Sequence, residues 1–200
     1  MQSAINNPSE EIGVKTKNFN IWCSSNNNWL QDRFIINSTQ KIDFNDFKDQ
    51  YCYIGVDLSA TSDLTAVCYL MPTEQGKYYF KLKYYLPESC IKDSPNREQY
   101  RLWANTGQLT LTPGNVTDYD YITKDIINVS KELNIVCIGY DKWNATQWAI
   151  TCTEQGLPLY EYGQNMGNFN QPTKEFERLI LSGKVILDNN EITRWCFQNA

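Results

Sequence analysis

The chain has 200 residues, of which 42% are hydrophobic and 14% aromatic, and its formal net charge is −5. A chain of this length buries a substantial core, and the aromatic content is that of a globular protein rather than a disordered one. The acidic balance disfavours an extended nucleic-acid surface, because affinity for phosphates comes from lysine and arginine, but it does not exclude a nuclease whose metal site is itself acidic.

The residue types that are missing limit which catalytic mechanisms and metal sites are possible. The sequence contains no histidine, which excludes Ser-His-Asp and Cys-His catalysis and histidine-based zinc sites. Its 7 cysteines include no Cys-x-x-Cys motif, so we expect reduced, packed thiols. The N-terminus carries no signal-peptide pattern and no run is long enough to cross a bilayer, so we expect an intracellular protein with no membrane partner. Hydrolysis would then depend on carboxylates, metal ions, lysine or tyrosine.

Residues 1–50 differ in composition from the remainder of the chain. Asparagine and serine are frequent there, residues 26–28 are three asparagines, and aromatic residues are spaced along the segment. We predict that residues 1–50 form an N-terminal arm or linker with one or two short helices. The boundary falls near Asp49, because strand signals begin directly after it.

From residue 51 onward, the pattern predicts a mixed sheet flanked by helices. Alternating or β-branched runs indicate strands, and apolar residues at helical spacing indicate helices. The predicted strands are residues 51–58, 65–71, 78–86, 108–112, 135–140, 158–162 and 185–187. The predicted helices are about 96–105, about 118–133, one that ends near Gly156, 173–182, and one at the end of the chain.

The first three predicted strands form an antiparallel meander. A helical crossover then lays strand 135–140 parallel to strand 51–58, with the right-handed connection that such units adopt. The predicted fold class is therefore α/β, a mixed sheet with an antiparallel three-strand meander, parallel strands and flanking helices.

Two apolar runs end in a carboxylate, at Asp57 and at Asp141. If their strands are neighbours, both acids emerge at the carboxyl ends of parallel strands, where such sheets place ligands. Oxygen ligands are those that Mg²⁺ and Mn²⁺ prefer, and two such ions support phosphoryl transfer. We predict a metal site at Asp57 and Asp141, with Asp63 reaching it directly or through water. The alternative is that these aspartates only form turns or cap helices, as we expect of Asp188.

Lys142 and Trp143 directly follow Asp141. A lysine at this position is suited to contact a phosphate, and a tryptophan is suited to stack on a base. We therefore predict that Lys142 binds nucleic acid. The alternative is that both side chains simply cover the start of the next helix.

Several of these segments resemble the nuclease domain of the phage terminase large subunit, which cuts concatemeric viral DNA during head filling. The similarity extends from about residue 15 onward, and its joint-like arm includes Trp22 and Trp29. The segments with the clearest similarity are Ile54–Ala66, Ile138–Asp141, Lys174–Ile180 and Arg194–Cys196.

The resemblance implies a ribonuclease-H-like fold and a two-metal endonuclease site that uses Mg²⁺ or Mn²⁺. Asp57 matches the first-strand catalytic aspartate of the family and Asp141 matches the second. The implied partners are double-stranded viral DNA, an ATPase domain of the same protein, the terminase small subunit and the portal, and the implied location is the host cytoplasm.

Two departures from the family pattern concern the extent of the chain. The phosphate-binding loop Gly-x-x-x-x-Gly-Lys-Ser/Thr is absent, so we expect no ATPase motor within these residues. The family's third carboxylate lies on a late helix, beyond Ala200. We therefore expect residues 51–200 to be a nuclease domain truncated at its C-terminus.

Two other functions compete with this prediction. The order of strand, Asp57, small residues and second strand also occurs in the phosphate hairpin of actin, sugar-kinase and Hsp70-type nucleotide-binding proteins. Those hairpins need glycines for close approach to phosphate, whereas this turn has Ser59, Ala60 and Ser62. The second alternative is a non-catalytic docking module that keeps the fold and the aromatic arm.

Overall fold

The computed structural model of the protein describes residues 29–200 except 62 and 144. Within these residues no helix has the length and apolar character needed to span a bilayer. The strands are β1 (Thr39–Gln40), β2 (Tyr51–Asp57), β3 (Thr65–Pro72), β4 (Tyr78–Pro87), β5 (Leu109–Thr112), β6 (Asn134–Tyr140), β7 (Leu159–Glu161) and β8 (Val185–Asp188). The helices are α1 (Asp32–Asn37), a 3-10 turn (Phe44–Phe47), α2 (Cys90–Asp93), α3 (Arg97–Asn105), α4 (Tyr119–Ser130), α5 (Thr146–Glu154), α6 (Met166–Leu181) and α7 (Glu191–Gln198).

The strands form one mixed sheet in the order β1-β8-β4-β3-β2-β6-β7, with β5 paired to the end of β4. β2, β3 and β4 are the predicted antiparallel meander, and β6 lies parallel to β2 as predicted. The pairs β6–β7, β4–β5, β4–β8 and β1–β8 are also parallel. Because β4 is long, β8 pairs with its first residues and β5 with its last.

Apolar side chains cover both faces of the sheet. On one face, Val56 and Val67 pack with Ile122 and Ile126 of α4 and with Trp148 of α5. Successive side chains of a strand point to opposite faces, so the alternate residues of the meander contribute to a second apolar cluster on the other face of the sheet. Each such side chain contributes about 1.5–3 kcal/mol when fully buried, and burial on both faces therefore fixes the register of β3 and β4.

On the second face, Tyr84 and Leu86 of β4 pack with Trp103 of α3 and Ile192 of α7. The β2 end of this face is more open, since Tyr51 is 67% exposed and Tyr53 is 39% exposed. The two ends of one sheet face therefore differ, because α3 and α7 cover β4 but leave the side chains of β2 accessible.

Residues 29–50, which the sequence assigns to the arm, contact the sheet directly. β1 pairs with β8, and the rings of Phe44 and Phe47 lie 5.1 Å from Tyr69 and 4.9 Å from Tyr79. These residues therefore extend the sheet and add to its core, although the boundary proposed near residue 50 stays a prediction. Trp22 lies outside the described residues.

Helix α6 begins at Met166, earlier than the predicted start at residue 173. The prediction was wrong there because Pro172, which lacks an N–H, argues against a helix interior. In the structure, the Asn168 carbonyl, which Pro172 leaves without its helical donor, accepts a hydrogen bond from the Tyr162 hydroxyl at 2.7 Å. Asn165 caps the helix by accepting the N–H of Asn168 at 3.0 Å.

The cysteines of the described residues are free thiols, and Cys23 lies outside those residues. Burial raises the pKa of Cys52 and the pKa of Cys68 to about 12. Neither sulfur is therefore a thiolate at neutral pH, which argues against a nucleophilic role for these two residues.

Candidate metal centre

Asp57 and Asp141 lie at the same edge of the sheet, at the ends of neighbouring parallel strands. Val56 of β2 is the register partner of Tyr140 of β6, and each aspartate is the next residue along its strand. In β2, buried Cys52, Ile54 and Val56 alternate with exposed residues, so Asp57 projects on the exposed side. The structure therefore brings together two acids that are far apart in the sequence.

The carboxylate of Asp141 is held by two backbone N–H groups. Its Oδ1 accepts from Trp143 at 3.0 Å and its Oδ2 accepts from Gln164 at 2.8 Å. The pKa of Asp141 lies below its usual value, chiefly because of the hydrogen bond from Trp143 and then of that from Gln164. Desolvation opposes these two hydrogen bonds with a smaller effect, and the charge of Lys142 adds a weak lowering. Asp141 is therefore ionised and fixed in orientation at neutral pH.

Gln164, in the loop between β7 and α6, contacts both acids. Its backbone N–H binds Asp141, and its side-chain Nε2 donates to Oδ1 of Asp57 at 3.0 Å. No pattern in the sequence indicates a functional role for this residue, because the surrounding segment of glycine, asparagine and glutamine has no helical period. The Asx-type cap at Asn165, immediately after Gln164, is the one signal that marks an ordered helix start there.

The partners of these two acids are neutral. Among the ion pairs of the described residues, none involves Asp57 or Asp141, whereas Asp32, Asp125 and Asp188 each pair with a lysine or arginine. Two neighbouring carboxylates repel one another unless a cation neutralises them. The oxygen donors present are those that Mg²⁺ and Mn²⁺ prefer, so the residues fit such an ion.

Asp63 is exposed in the turn between β2 and β3. Across the described part of the chain, no three histidine, cysteine, aspartate or glutamate side chains converge as a metal-holding group. The structure therefore does not gather Asp63 with the other two acids, and its assignment as a metal ligand stays a prediction.

Lys142 is engaged in an exposed ion pair. Its Nζ lies 3.2 Å from Oε1 of Glu161 at the end of β7, with the two side chains 69% and 52% exposed. Trp143, beside it, is 79% exposed. The predicted role of Lys142 in binding nucleic acid therefore stays a prediction, and it requires this ion pair to open.

Two glycines precede the two acids on the same face of the sheet. Gly55 and Gly139 are register partners on β2 and β6, each two residues before its aspartate. A Cβ added to Gly55 would meet no atom within 4 Å, and one added to Gly139 would meet only the carbonyl oxygen of Ile54, at 3.8 Å. Packing within the protein therefore does not require glycine there, and the surface beside the acids is open to close approach.

The turn after Asp57 is closed by a side chain. Thr65 Oγ1 accepts the N–H of Ser59 at 2.9 Å and donates to its carbonyl at 3.1 Å. The Ser59 amide is therefore already bonded and does not face outward to a phosphate. This geometry argues against the phosphate hairpin of the nucleotide-binding alternative.

Known proteins are similar to this chain in sequence. The large subunit of the terminase of Enterobacteria phage HK97 is 28% identical over 152 residues, which are 74% of this chain and 30% of that protein. Protein YmfN of Escherichia coli strain K12 is 28% identical over 214 aligned positions, which span this whole chain and 46% of that protein. The chain thus spans less than half the length of these curated relatives.

Two crystal structures are similar in fold. That of the HK97 bacteriophage large terminase has a TM-score of 0.74 at 22% identity, covering 100% of this chain and 42% of that one. That of the large terminase nuclease from thermophilic phage G20c has a TM-score of 0.51 at 14% identity, covering 76% of this chain and 65% of that one. The mixed α/β sheet with flanking helices is the ribonuclease-H-like fold that the family resemblance implies.

The sequence model that describes the endonuclease domain of the terminase large subunit matches residues 1–200. This match covers the chain from end to end and agrees with the resemblance found in the segments around Asp57 and Asp141. The chain belongs to the endonuclease-domain family of the terminase large subunit.

Proposed function

We propose that this chain is the nuclease part of a viral DNA-packaging terminase and that the whole protein hydrolyses DNA phosphodiesters with divalent cations held at Asp57 and Asp141. The observation that carries the proposal is the juxtaposition of these two acids at the ends of β2 and β6, in a member of an endonuclease family. The absence of a lysine or arginine partner for either acid, within the described residues, supports it.

The protein's own residues have distinct tasks in this proposal. Asp57 and Asp141 would hold Mg²⁺ or Mn²⁺, with Asp63 as a further ligand. When bound, such ions activate water and neutralise charge on the phosphate. The N–H groups of Trp143 and Gln164 keep the Asp141 carboxylate in one orientation.

The substrate would approach over the open face beside the acids. The glycine pair Gly55 and Gly139 leaves space for a DNA strand close to the backbone of β2 and β6. Lys142 would contact a phosphate after leaving Glu161, and this costs little because an exposed ion pair contributes only about 0–1 kcal/mol.

The partners of the whole protein are also proposals, because the chain spans only part of its relatives. We propose double-stranded viral DNA as the substrate, cut during packaging in the host cytoplasm. The family resemblance adds an ATPase domain of the same protein, the terminase small subunit and the portal.

Manganese binding by the 200-residue chain and plasmid cleavage by the whole protein test the proposal. We expect the unaltered chain to bind Mn²⁺ in calorimetric titration, and the whole protein to nick supercoiled plasmid with Mn²⁺ but not with EDTA. Asp57→Asn and Asp141→Asn should each weaken Mn²⁺ binding by at least about tenfold, since each removes one of the charged ligands, and should abolish nicking. Asp46→Asn, an exposed aspartate before the opposite end of β2, is the matched control.

Two results would overturn this proposal. If either site variant nicks DNA at the unaltered rate, the substituted aspartate is not required for the reaction. A folded, unaltered chain that binds no Mn²⁺ would instead favour the non-catalytic docking module.

A further inference from the structure

Gln164 is fixed in place by an ordered loop. The Gly163 carbonyl accepts hydrogen bonds from the Asn168 side chain at 2.8 Å and from the Asn165 N–H at 3.0 Å. Just before it, the N–H of Tyr162 binds the carbonyl of Tyr140 at 2.8 Å and ties the loop to β6. Because the loop is held on both sides of Gln164, the position of its backbone N–H on Asp141 is set by the fold.

The two polar groups of Gln164 contact the two acids in different ways. The backbone N–H that binds Asp141 belongs to the ordered loop. The side-chain amide that binds Asp57 is on an exposed side chain, whose torsions can rotate without moving the backbone. The first contact can persist while the second one breaks.

The side-chain amide places partial positive charge against Oδ1 of Asp57, next to the Asp141 carboxylate. A bound cation also places positive charge there, so the amide hydrogens and the ion would compete for the same oxygen. A hydrogen bond from a neutral amide compensates part of the repulsion between two carboxylates, whereas a divalent ion compensates all of it.

We propose that Gln164 is a positioning residue whose side-chain amide occupies the cation's place on Asp57 in the metal-free protein and leaves it when the ion binds. Its backbone N–H orients Asp141 in both states. The inference rests on the proposed function, because it requires a cation at these two acids, but it concerns a residue outside the carboxylate set.

Manganese affinity measured on Gln164→Ala gives the first test. Removing the amide removes a competitor for Asp57, so we expect Gln164→Ala to bind Mn²⁺ about fivefold more tightly than the unaltered chain does. A fivefold change is the effect expected of one exposed hydrogen bond to a charged group. Gln155→Ala, an exposed glutamine beyond the far end of α5, should bind as the unaltered chain does. Equal or weaker binding by Gln164→Ala would overturn the proposal.

The side-chain resonances of Gln164 give a second test that does not depend on activity. In ¹⁵N-labelled protein, the Gln164 amide signal, identified by its loss in Gln164→Ala, should shift on addition of Mg²⁺ towards the position of a solvated glutamine. A signal that does not respond while Mg²⁺ saturates the site would overturn the inference.

The Asp57→Asn variant separates failure of this inference from failure of the proposed function. If the unaltered chain binds Mn²⁺ and Asp57→Asn does not, the metal site stands, and the Gln164→Ala result alone decides the role of Gln164. If the unaltered chain binds no Mn²⁺, both proposals are wrong.

Discussion

Two regions of this molecule hold aspartates in opposite ways. Where residues 29–50 meet β8 and α7, Asp188 binds the Lys81 ammonium at 2.9 Å and Asp32 binds Arg194 through two hydrogen bonds, at 3.0 and 2.6 Å. At the edge where β2 and β6 end, Asp57 is bonded to a side-chain amide and Asp141 to backbone N–H groups.

The difference separates structural acids from candidate ligands. A carboxylate paired with a lysine or arginine of its own chain has its charge neutralised and joins two segments. A pair of adjacent carboxylates held only by neutral donors keeps its charge, and an external cation can supply the missing partner. Strand-end position alone does not distinguish the two, because Asp188 also ends a strand.

The largest expected effect is at the structural region, from Lys81→Met. Lys81 donates to the Ile42 carbonyl at 2.6 Å as well as to Asp188, and the two charged side chains are only 21% and 14% exposed. Removing the ammonium leaves a half-buried carboxylate without its cation, so we expect the free energy of unfolding to fall by about 2 kcal/mol in urea denaturation.

The double variant Lys81→Met/Asp188→Asn controls for simple loss of packing. Because both charges are then absent, part of the lost stability should return. If the loss of stability in the double variant equals or exceeds the sum of the losses in the two single variants, the ion pair is not the source of the effect.

A smaller effect is expected from Asp32→Asn, which breaks the link between α1 and α7. The pair is partly exposed, with side chains 49% and 34% accessible, but its geometry is bidentate. We expect a loss of about 1 kcal/mol, at the upper end for surface pairs. A thermal unfolding midpoint unchanged from that of the unaltered chain would show that α1 is held by its apolar contacts alone.

The same pair predicts a pH dependence. The Arg194 hydrogen bond, opposed by desolvation and assisted by Gln198, holds the pKa of Asp32 below its ordinary value of 3.8. Stability from this lowered pKa is present above the ordinary value and is lost as pH falls through the folded one. The difference in stability between the unaltered chain and Asp32→Asn should therefore be constant above about pH 5 and shrink in more acidic solution. If this difference in stability grows as the pH falls, the prediction is contradicted.

The smallest effects on stability are expected at the candidate metal centre. In EDTA, Asp57→Asn removes one of two neighbouring like charges from an exposed site, so its stability should lie within about 0.5 kcal/mol of that of the unaltered chain. A loss as large as that of Lys81→Met would mean that Asp57 is a structural acid, and the contrast between the two regions would fail.

Gly55→Val tests the surface beside the acids without changing the acids themselves. The added side chain begins in open space and suits a strand, so the fold and the Mn²⁺ affinity should be kept. DNA nicking should fall at least about tenfold, which corresponds to a loss of about 1.4 kcal/mol of substrate binding. Unchanged nicking would show that the substrate does not lie over this part of the sheet.

Much of the fold could be predicted from the sequence because its signals are local. The alternation in β2 and the period in α4 follow from which side chains are buried, and the predicted strand 51–58 ends one residue later than β2, which ends at Asp57. The resemblance and the strand ends also indicated both Asp57 and Asp141.

Other features depend on contacts that no local pattern encodes. The first turns of α6 were missed because the compensation for Pro172 comes from Tyr162, outside the helix. Gln164 was missed for the same reason, since its role depends on how the loop after β7 returns to β6. The structural role of Asp188 follows from its contact with Lys81, which is distant in the sequence.

Anomalous diffraction from crystals of this chain soaked in Mn²⁺ is the most direct test of the metal centre. We expect an anomalous peak within about 2.5 Å of a carboxylate oxygen of both Asp57 and Asp141, with the Gln164 amide displaced from Asp57. Well-ordered carboxylates with no peak between them, or manganese bound only at other acids such as Asp188, would contradict it.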